Sequence, residues 1–517
     1  MREETSQERY FGSLLSGELR KNARVTFGYD DYLRIAHRHL ASLFGDAADW
    51  SRSLALYREE GEARARSRSA GRCESLPLLT KDGITEMLRR EEAYGAETDA
   101  LCAMAESWRE GHKPGREETL EAARRLGLLP DREEDGLTRL LVRRAPGEGA
   151  MPAWDEERLG LLSLTADLLL CLYTPGLQLT FPVAGTAVTQ RKGEFFYRGE
   201  NAFYASSKPG LFRGSPDRLQ ILIDYCLLEE ACFFLDETDA VSRWGASGVN
   251  YFALAQHYGM KTPMTDVTSD LKTALFFLCC VYENGSWRPL RQSETAEKEA
   301  RRGLPPGGDA RYGVLYRTPS EVNDIRWALS DGETDLELIT PVGVQPFMRC
   351  SSQRAYTRKA ASPGWDMLRD PLFEAYRVRL DEELCRWIFD EMEGGTLIYP
   401  HNDVPGMEKC LAGLRASRRI SARTFERVAQ ELSLSPEGAA ALRRDLARRG
   451  LTVVNGKLEH LSANRLRRLN RQYSLETAVQ RVKLRGCARP MLVVAGDCLV
   501  EDGTLTGRRA EGGTEHD

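Results

Sequence analysis

The residues best suited to chemistry lie in one run, Gln256-His257-Tyr258-Gly259 followed by Thr262, Asp266 and Thr268, with an upstream guanidinium at Arg198-Gly199. An arginine offers a planar fork of donors that suits a diphosphate or a carboxylate. A carboxylate such as Asp266 can accept a hydroxyl or face developing positive charge, and a histidine such as His257 can act as a general base. Each has a plainer reading. Arg198 can be held in an ion pair by Glu200 or Asp266, Asp266 can cap a helix, and His257 can be satisfied at a helix end by a backbone carbonyl. His37 and His39 are two residues apart and would face different ways on a helix. The twelve cysteines include no Cys-x-x-Cys pair, so neither a zinc site nor a disulfide framework is expected.

These residues need elements to hold them. The stretch 251–255 reads as a short apolar helix, closed at Gly259 where glycine accepts the left-handed conformation. Pro263 restricts Thr262 to extended geometry, and 264–268 alternates as a strand does, with Asp266 and Thr268 on one face. Ser269 or Asp270 can cap the helix that follows; Ala274, Phe276, Phe277 and Cys280 make it almost wholly apolar, so it should be buried. Upstream, Phe195-Phe196-Tyr197 are strand formers, which puts Arg198 near a strand end and lets a ligand approach Gly199 closely. Downstream, 284–308 reads as an exposed polar insertion. Strands are predicted at 312–316 and 336–340, with a further one over 349–356, and helices resume from 366 to 393. The fold class is α+β, a small mixed or antiparallel sheet flanked by helices.

A length of 517 residues with 42% hydrophobic and 29% charged content predicts a core-forming protein of about two to four domains. No apolar run reaches membrane-spanning length, and Met1-Arg2-Glu3-Glu4 lacks the apolar segment of a signal peptide, so a cytoplasmic protein without membrane partners is expected. Residues 1–150 read as a helical N-terminal region, 151–400 as the α+β domain and 501–517 as a disordered tail. Residues 411–485 are distinct. They hold 17 Lys/Arg against 6 Asp/Glu, about +11, which leaves about −16 for the remainder of a chain at −5. Within them 424–435 reads as a helix and turn, Pro436 opens a second helix that Gly450 stops, and 451–461 reads as a hairpin turning at Asn455-Gly456. This pattern resembles a winged helix-turn-helix. Arg443, Arg444, Arg448 and Arg449 are then candidate nucleic-acid contacts, the alternative being a solvated basic face.

The run around Gln256 carries a resemblance. Gln256, His257, Tyr258, Gly259, Thr262, Asp266, Thr268, Ala274, Leu275 and Phe277 match in order and spacing the motif of the FRG domain, named for a Phe-Arg-Gly sequence that stands here as Tyr197-Arg198-Gly199. Arg213 and Glu229-Glu230 before Phe233-Phe234 are similar to further family features, and the resemblance covers about residues 190–360. The sequence departs from the pattern at Pro263, at Val267 and in the closing strand, written here as Gln353-Arg354-Ala355-Tyr356.

More loosely, the strand-borne Arg-Gly, the second strand with its hydroxyl and the Ala-x-x-Phe helix are similar to the ADP-ribosyltransferase core. That similarity implies NAD as substrate, held by Tyr197, Arg198, Gly199, Tyr258 and Thr268. It also implies an acidic or amide residue near the nicotinamide ribose. Asp266, Glu337, Gln353 and His257 are the candidates; local context favours Asp266, and the residues do not choose between Glu337 and Gln353. The reading is an NAD-consuming transferase or glycohydrolase, an effector acting on nucleic acid or protein, which requires Arg198, Asp266 and Thr268 to meet in one hollow. The alternative is a non-enzymatic regulator that senses a nucleotide and binds nucleic acid.

Overall fold

A computed structural model describes residues 47–68, 71–93, 177–183, 186–191, 193–242, 249–296, 304–320, 338–342, 345–360, 362–399, 405–456 and 458–472, with a few shorter pieces. The protein is α+β, and its centre is a seven-stranded sheet rather than a small one. In chain order the strands are β1 (Leu78–Leu79), β2 (Phe195–Glu200), β3 (Met264–Thr268), β6 (Tyr312–Pro319), β7 (Ile339–Pro341), β8 (Ala355–Lys359) and β9 (Glu374–Arg379). Between β3 and β6 lies a separate hairpin, β4 (Cys280–Glu283) and β5 (Ser286–Pro289). The spatial order is β1-β9-β6-β2-β3-β8-β7. Every pairing is antiparallel except that of β1 with β9.

Alternation along β2 builds both faces of the core. Phe196 joins Val267, Tyr316, Tyr356 and Phe373 on one side. Tyr197 joins α5 (Leu271–Cys279) and α6 (Glu382–Glu391) on the other. The short helix α5 is stable because its apolar side chains have no solvent-facing side to spare: Ala274, Leu275, Phe276 and Leu278 are all fully buried. Asp270, not Ser269, caps it, accepting from Thr273 N at 3.2 Å.

The described N-terminal residues belong to this same body. Helix α1 (Ala47–Arg68) sends Arg68, almost fully buried, to the carbonyls of Phe373 (2.8 Å) and Asp370 (3.2 Å). Helix α2 (81–93) packs Ile84 against the α5 face. The remainder of the predicted N-terminal helical region lies outside the described residues, as does the predicted 501–517 tail apart from one strand at Thr504–Gly507 and the residue Glu501.

Three local expectations are corrected. Residues 348–352 form a helical turn before β8, so 349–356 is not one strand. The span 366–393 holds β9 before helix α6, because the backbone of 374–379 pairs residue for residue with β6 while Val378 packs into the core beside α5 and α6. Within the supposed insertion after 284, β5 pairs with β4 through a two-residue turn. Asn284 and Gly285 have φ of 53° and 84°, the all-positive geometry of a type I′ hairpin.

The C-terminal unit packs on α3 (Arg218–Asp236) and α4 (Tyr251–His257) through α7 (Pro405–Arg415), α8 (Ala422–Glu431), α9 (Pro436–Arg448) and α10 (Ala463–Gln472). Helix α9 opens at Pro436 behind the Ser435 cap, and Gly450 follows it with φ of 83°. The expected wing hairpin is absent among the described residues. β11 (Thr452–Val454) pairs in parallel with β10 (Arg419–Ser421), which precedes both helices, and 458–461 forms no strand. Asn455 instead accepts from Arg443 at 3.0 Å. Among the described residues no helix is long and apolar enough to cross a membrane, and no His/Cys/Asp/Glu group is arranged to hold a metal ion.

Candidate functional site

The sheet is interrupted at its centre. β2 makes six register pairs with β6, and β3 makes five with β8, yet β2 and β3 share one, Tyr197 with Thr268. Beyond that pair the two strands splay. Arg198 bridges the gap with its side chain, Nη1 donating to the Asp266 carbonyl at 2.9 Å where a ladder hydrogen bond would otherwise run. In the splay lies a cavity of about 650 Å³, within the range of small-molecule sites.

Tyr197 opposite Thr268 fixes the faces, and alternation then assigns Arg198 and the Asp266 carboxylate to opposite sides of an intact sheet. Because the ladder is broken there, both line the one cavity, together with Thr268, His257, Gln353, Tyr197 and Gly199. Tyr258 is elsewhere. It is buried in the core, edge-on to Phe347, with the Arg349 guanidinium 4.5 Å from its ring centre. Glu337 lies outside the described residues.

What each residue offers is set by its partners. The Asp266 carboxylate is neither the cap of α5 nor the acceptor of Arg198, which takes the main-chain oxygen instead. Among the described residues its Oδ1 is a buried oxygen with no hydrogen-bond partner. The indole Nε1 of Trp287, another lining residue, is a buried donor in the same condition. An unpaired buried polar group costs about 1–3 kcal/mol, which a ligand that pairs it recovers. Thr268 is committed internally: its hydroxyl donates to Gln353 O at 2.7 Å and accepts from Asp270 N at 3.0 Å, tying β3 to the turn before α5. Gln353 donates through Nε2 to Ile398 O at 3.3 Å.

Arg198 also bonds Glu200 at 3.2 Å, and the buried Glu200 accepts from Ser207 at 2.7 Å. Two further cations, Lys208 and Arg213, come from the loop after β2. Arg213 keeps contact with solvent at the mouth. Desolvation by the walls first, and the like charge of Arg198 second, still hold its guanidinium pKa below the ordinary arginine value, so the two forks face the same void. Phe277, Tyr282 and Trp287 supply aromatic surface, with Tyr282 and Trp287 centroids 5.2 Å apart.

Gly199 has a reason other than ligand approach. A Cβ there would lie 1.9 Å from the Ala274 carbonyl oxygen, so the glycine exists to let β2 cross α5. Local hydrogen bonds likewise account for the Gln-His-Tyr-Gly run. Gln256 pairs with the Thr262 hydroxyl, Arg349 donates to His257 O at 3.0 Å and Arg415 to Gly259 O at 2.7 Å. His257 is thereby held at the cavity wall from the C-terminal side.

Tyr197 gives its hydroxyl to Glu91 on α2 at 2.6 Å and has none to spare for a ligand. Burial raises the Glu91 pKa from 4.5 to about 7, the Tyr197 hydrogen bond opposing and Asp270 adding to the rise. The folded state therefore holds a proton between pH 4.5 and 7 that the unfolded chain releases, and stability falls as pH rises through that window. Glu91→Gln removes the penalty. The variant is expected to melt above wild type at pH 8 and level with it near pH 4.5, as thermal melts at the two values would show.

The aromatic hairpin and Lys208 were not identified from sequence. The usable signal was Asn284-Gly285 between the strand formers Val281-Tyr282 and Trp287. Of the candidate nucleic-acid contacts, Arg443 donates to Asn455, Arg448 pairs with Asp445 at 2.9 Å and Arg449 with Asp217 at 2.5 Å, while Arg444 is exposed. Most of that basic face is engaged by the chain itself.

No curated protein and no solved structure matches the chain. The family model of the FRG domain matches residues 193–286, the span holding β2, the splay, the Gln-His-Tyr-Gly run and α5. A protein in which these elements converge on one cavity is an FRG domain-containing protein.

Proposed function

We propose that the cavity takes NAD or a related dinucleotide and that the protein cleaves the bond between nicotinamide and its ribose, as an ADP-ribosyltransferase-like effector or glycohydrolase. The observation that carries this reading is the buried, partnerless Asp266 Oδ1 in a hollow shared with Arg198 and an aromatic wall. In that reaction the bonding electrons leave with nicotinamide and the ribose carbon becomes oxocarbenium-like. An acceptor group or water then forms the new bond and loses its proton. The chain's part is positional and electrostatic. Arg198, Lys208 and Arg213 suit a diphosphate, Tyr282 and Trp287 suit a flat base, and Asp266 can accept a ribose hydroxyl while facing the developing positive charge. Thr268 and Gln353 hold the wall in place, and His257, at the same wall, is the candidate to take the acceptor's proton.

Incubation of the full chain with NAD, with cell extract as acceptor, should release nicotinamide. Asp266→Asn should lower turnover by about 10²-fold with little change in NAD affinity, and Arg198→Ala should weaken binding about tenfold or more. Absence of nicotinamide release from wild type under both conditions overturns the enzyme reading.

One observation favours a second reading, a nucleotide sensor. Arg198 already has Glu200 and the Asp266 carbonyl as partners, so a ligand phosphate must compete for it. NAD binding by calorimetry without nicotinamide release would select that reading.

A further inference from the structure

The C-terminal unit contains a second hollow, of about 690 Å³, between α7 and α10, with α3 at its floor. Lys409 of α7, Arg419 of β10, and Arg465 and Arg468 of α10 line it. Glu459 is the one acidic lining residue among those described. None of the four cations has an acidic partner among the described residues. Elsewhere in the unit the pattern differs: Arg427 pairs with Glu229, Arg448 with Asp445 and Arg449 with Asp217. The wall also includes Ser417 and His460, the latter bonded to Glu230 at 2.9 Å, and its floor is apolar, with Phe234 and Leu469 both buried beneath the charged rim.

We propose that this second hollow binds the phosphate of a nucleotide, as a site separate from the cavity at Arg198. Four uncompensated cations around an opening attract a multiply charged anion, and holding them apart without one costs like-charge repulsion. The volume exceeds what a bare phosphate fills, and the apolar floor beside the cations suits a ligand with a charged head and a flat, weakly polar body. A nucleoside phosphate has that chemistry, whether free in solution or as one unit of a nucleic-acid strand. This charge is not on the face that the helix-turn-helix pattern suggested, since three of that face's four arginines are engaged within the chain.

The test uses the full chain and two probes, AMP and a short fluorescein-labelled oligothymidylate, each titrated at low and at physiological salt. Wild type is expected to bind, more weakly as salt rises. The double variant R465E/R468E, at two exposed positions, should lose about tenfold or more of the affinity, and Lys409→Glu on the other wall should lose part of it. Both titrations are repeated in the Arg198→Ala background, which weakens any AMP binding at the first cavity; the component lost in R465E/R468E should persist there within about twofold, because the two hollows share no lining residue among those described. Binding of AMP alone identifies a free nucleotide, and binding of the labelled strand identifies nucleic acid as the source. The inference is overturned if neither probe binds wild type, if R465E/R468E binds as wild type does, or if Arg198→Ala alone abolishes the signal.

Discussion

Glu230→Ala is expected to destabilise the protein by about 3–5 kcal/mol, the usual cost of stripping one partner from a buried, fully bonded charge. Glu230 is 1% exposed and lies on α3, yet every partner comes from the C-terminal unit. Oε2 accepts from Ser421 N at 2.7 Å, from Ser421 Oγ at 2.9 Å and from Thr424 Oγ1 at 2.5 Å, and Oε1 meets His460 Nε2 at 2.9 Å. Alanine would leave the Ser421 amide and His460 without this acceptor, the Ser421 and Thr424 hydroxyls retaining only each other at 3.1 Å. Glu230→Gln tests charge and acceptor count apart from volume: the amide nitrogen would face donors on every side, and about half the loss is expected. Despite burial, these hydrogen bonds hold the Glu230 pKa below its ordinary value of 4.5. Its contribution is therefore complete above that value and is lost as pH falls through the lower, folded-state pKa. Urea midpoints for wild type and Glu230→Gln should converge on acidification, and a constant gap down to the acid transition would contradict the assignment.

Gly199→Ala is expected to cost about 3 kcal/mol or more, because the added carbon collides with backbone rather than with a side chain that can turn away. The contact would be 1.9 Å to Ala274 O, with Leu278 Cβ at 3.0 Å behind it. Strand β2 and helix α5 would have to part, and the splay that shapes the cavity would move with them. Gly413→Ala is the matching control. It lies in α7 with open space around the new carbon, and a gain of up to about 1 kcal/mol is expected there from helix propensity. Equal urea midpoints for Gly199→Ala and wild type would refute the packing argument.

Local chemistry made much of the site legible. The cap at Asp270, the helix end at Gly259 and the strand at 264–268 each follow from a few neighbouring residues, so the order of elements around Asp266 was readable. What was not readable depends on distant partners. The two Asn-Gly pairs are chemically alike, yet 284–285 turns a hairpin while 455–456 does not. Tyr282 and Trp287 pack together across the first, whereas the strand before the second is claimed by β10 from beyond two helices. Gly199 showed in the sequence as permissive, but only the crossing with α5 says for what. The same holds for Tyr258 and Thr268, whose side chains suit a ligand and are spent on Arg349 and on Gln353.

The single shared pair between β2 and β3 has a practical consequence for anyone cutting or grafting this module. The span 193–286 contains only those two strands of the central sheet, and the neighbours that complete their ladders, β6 and β8, come from later in the chain. Expressed alone, such a fragment would carry two nearly unlinked ribbons with bare edges and would be expected to aggregate. The smallest piece that keeps these ladders and the partners of α3 runs from α1 to α10, because Glu230 on α3 is bonded to Ser421, Thr424 and His460, so a chimera should be joined outside those limits.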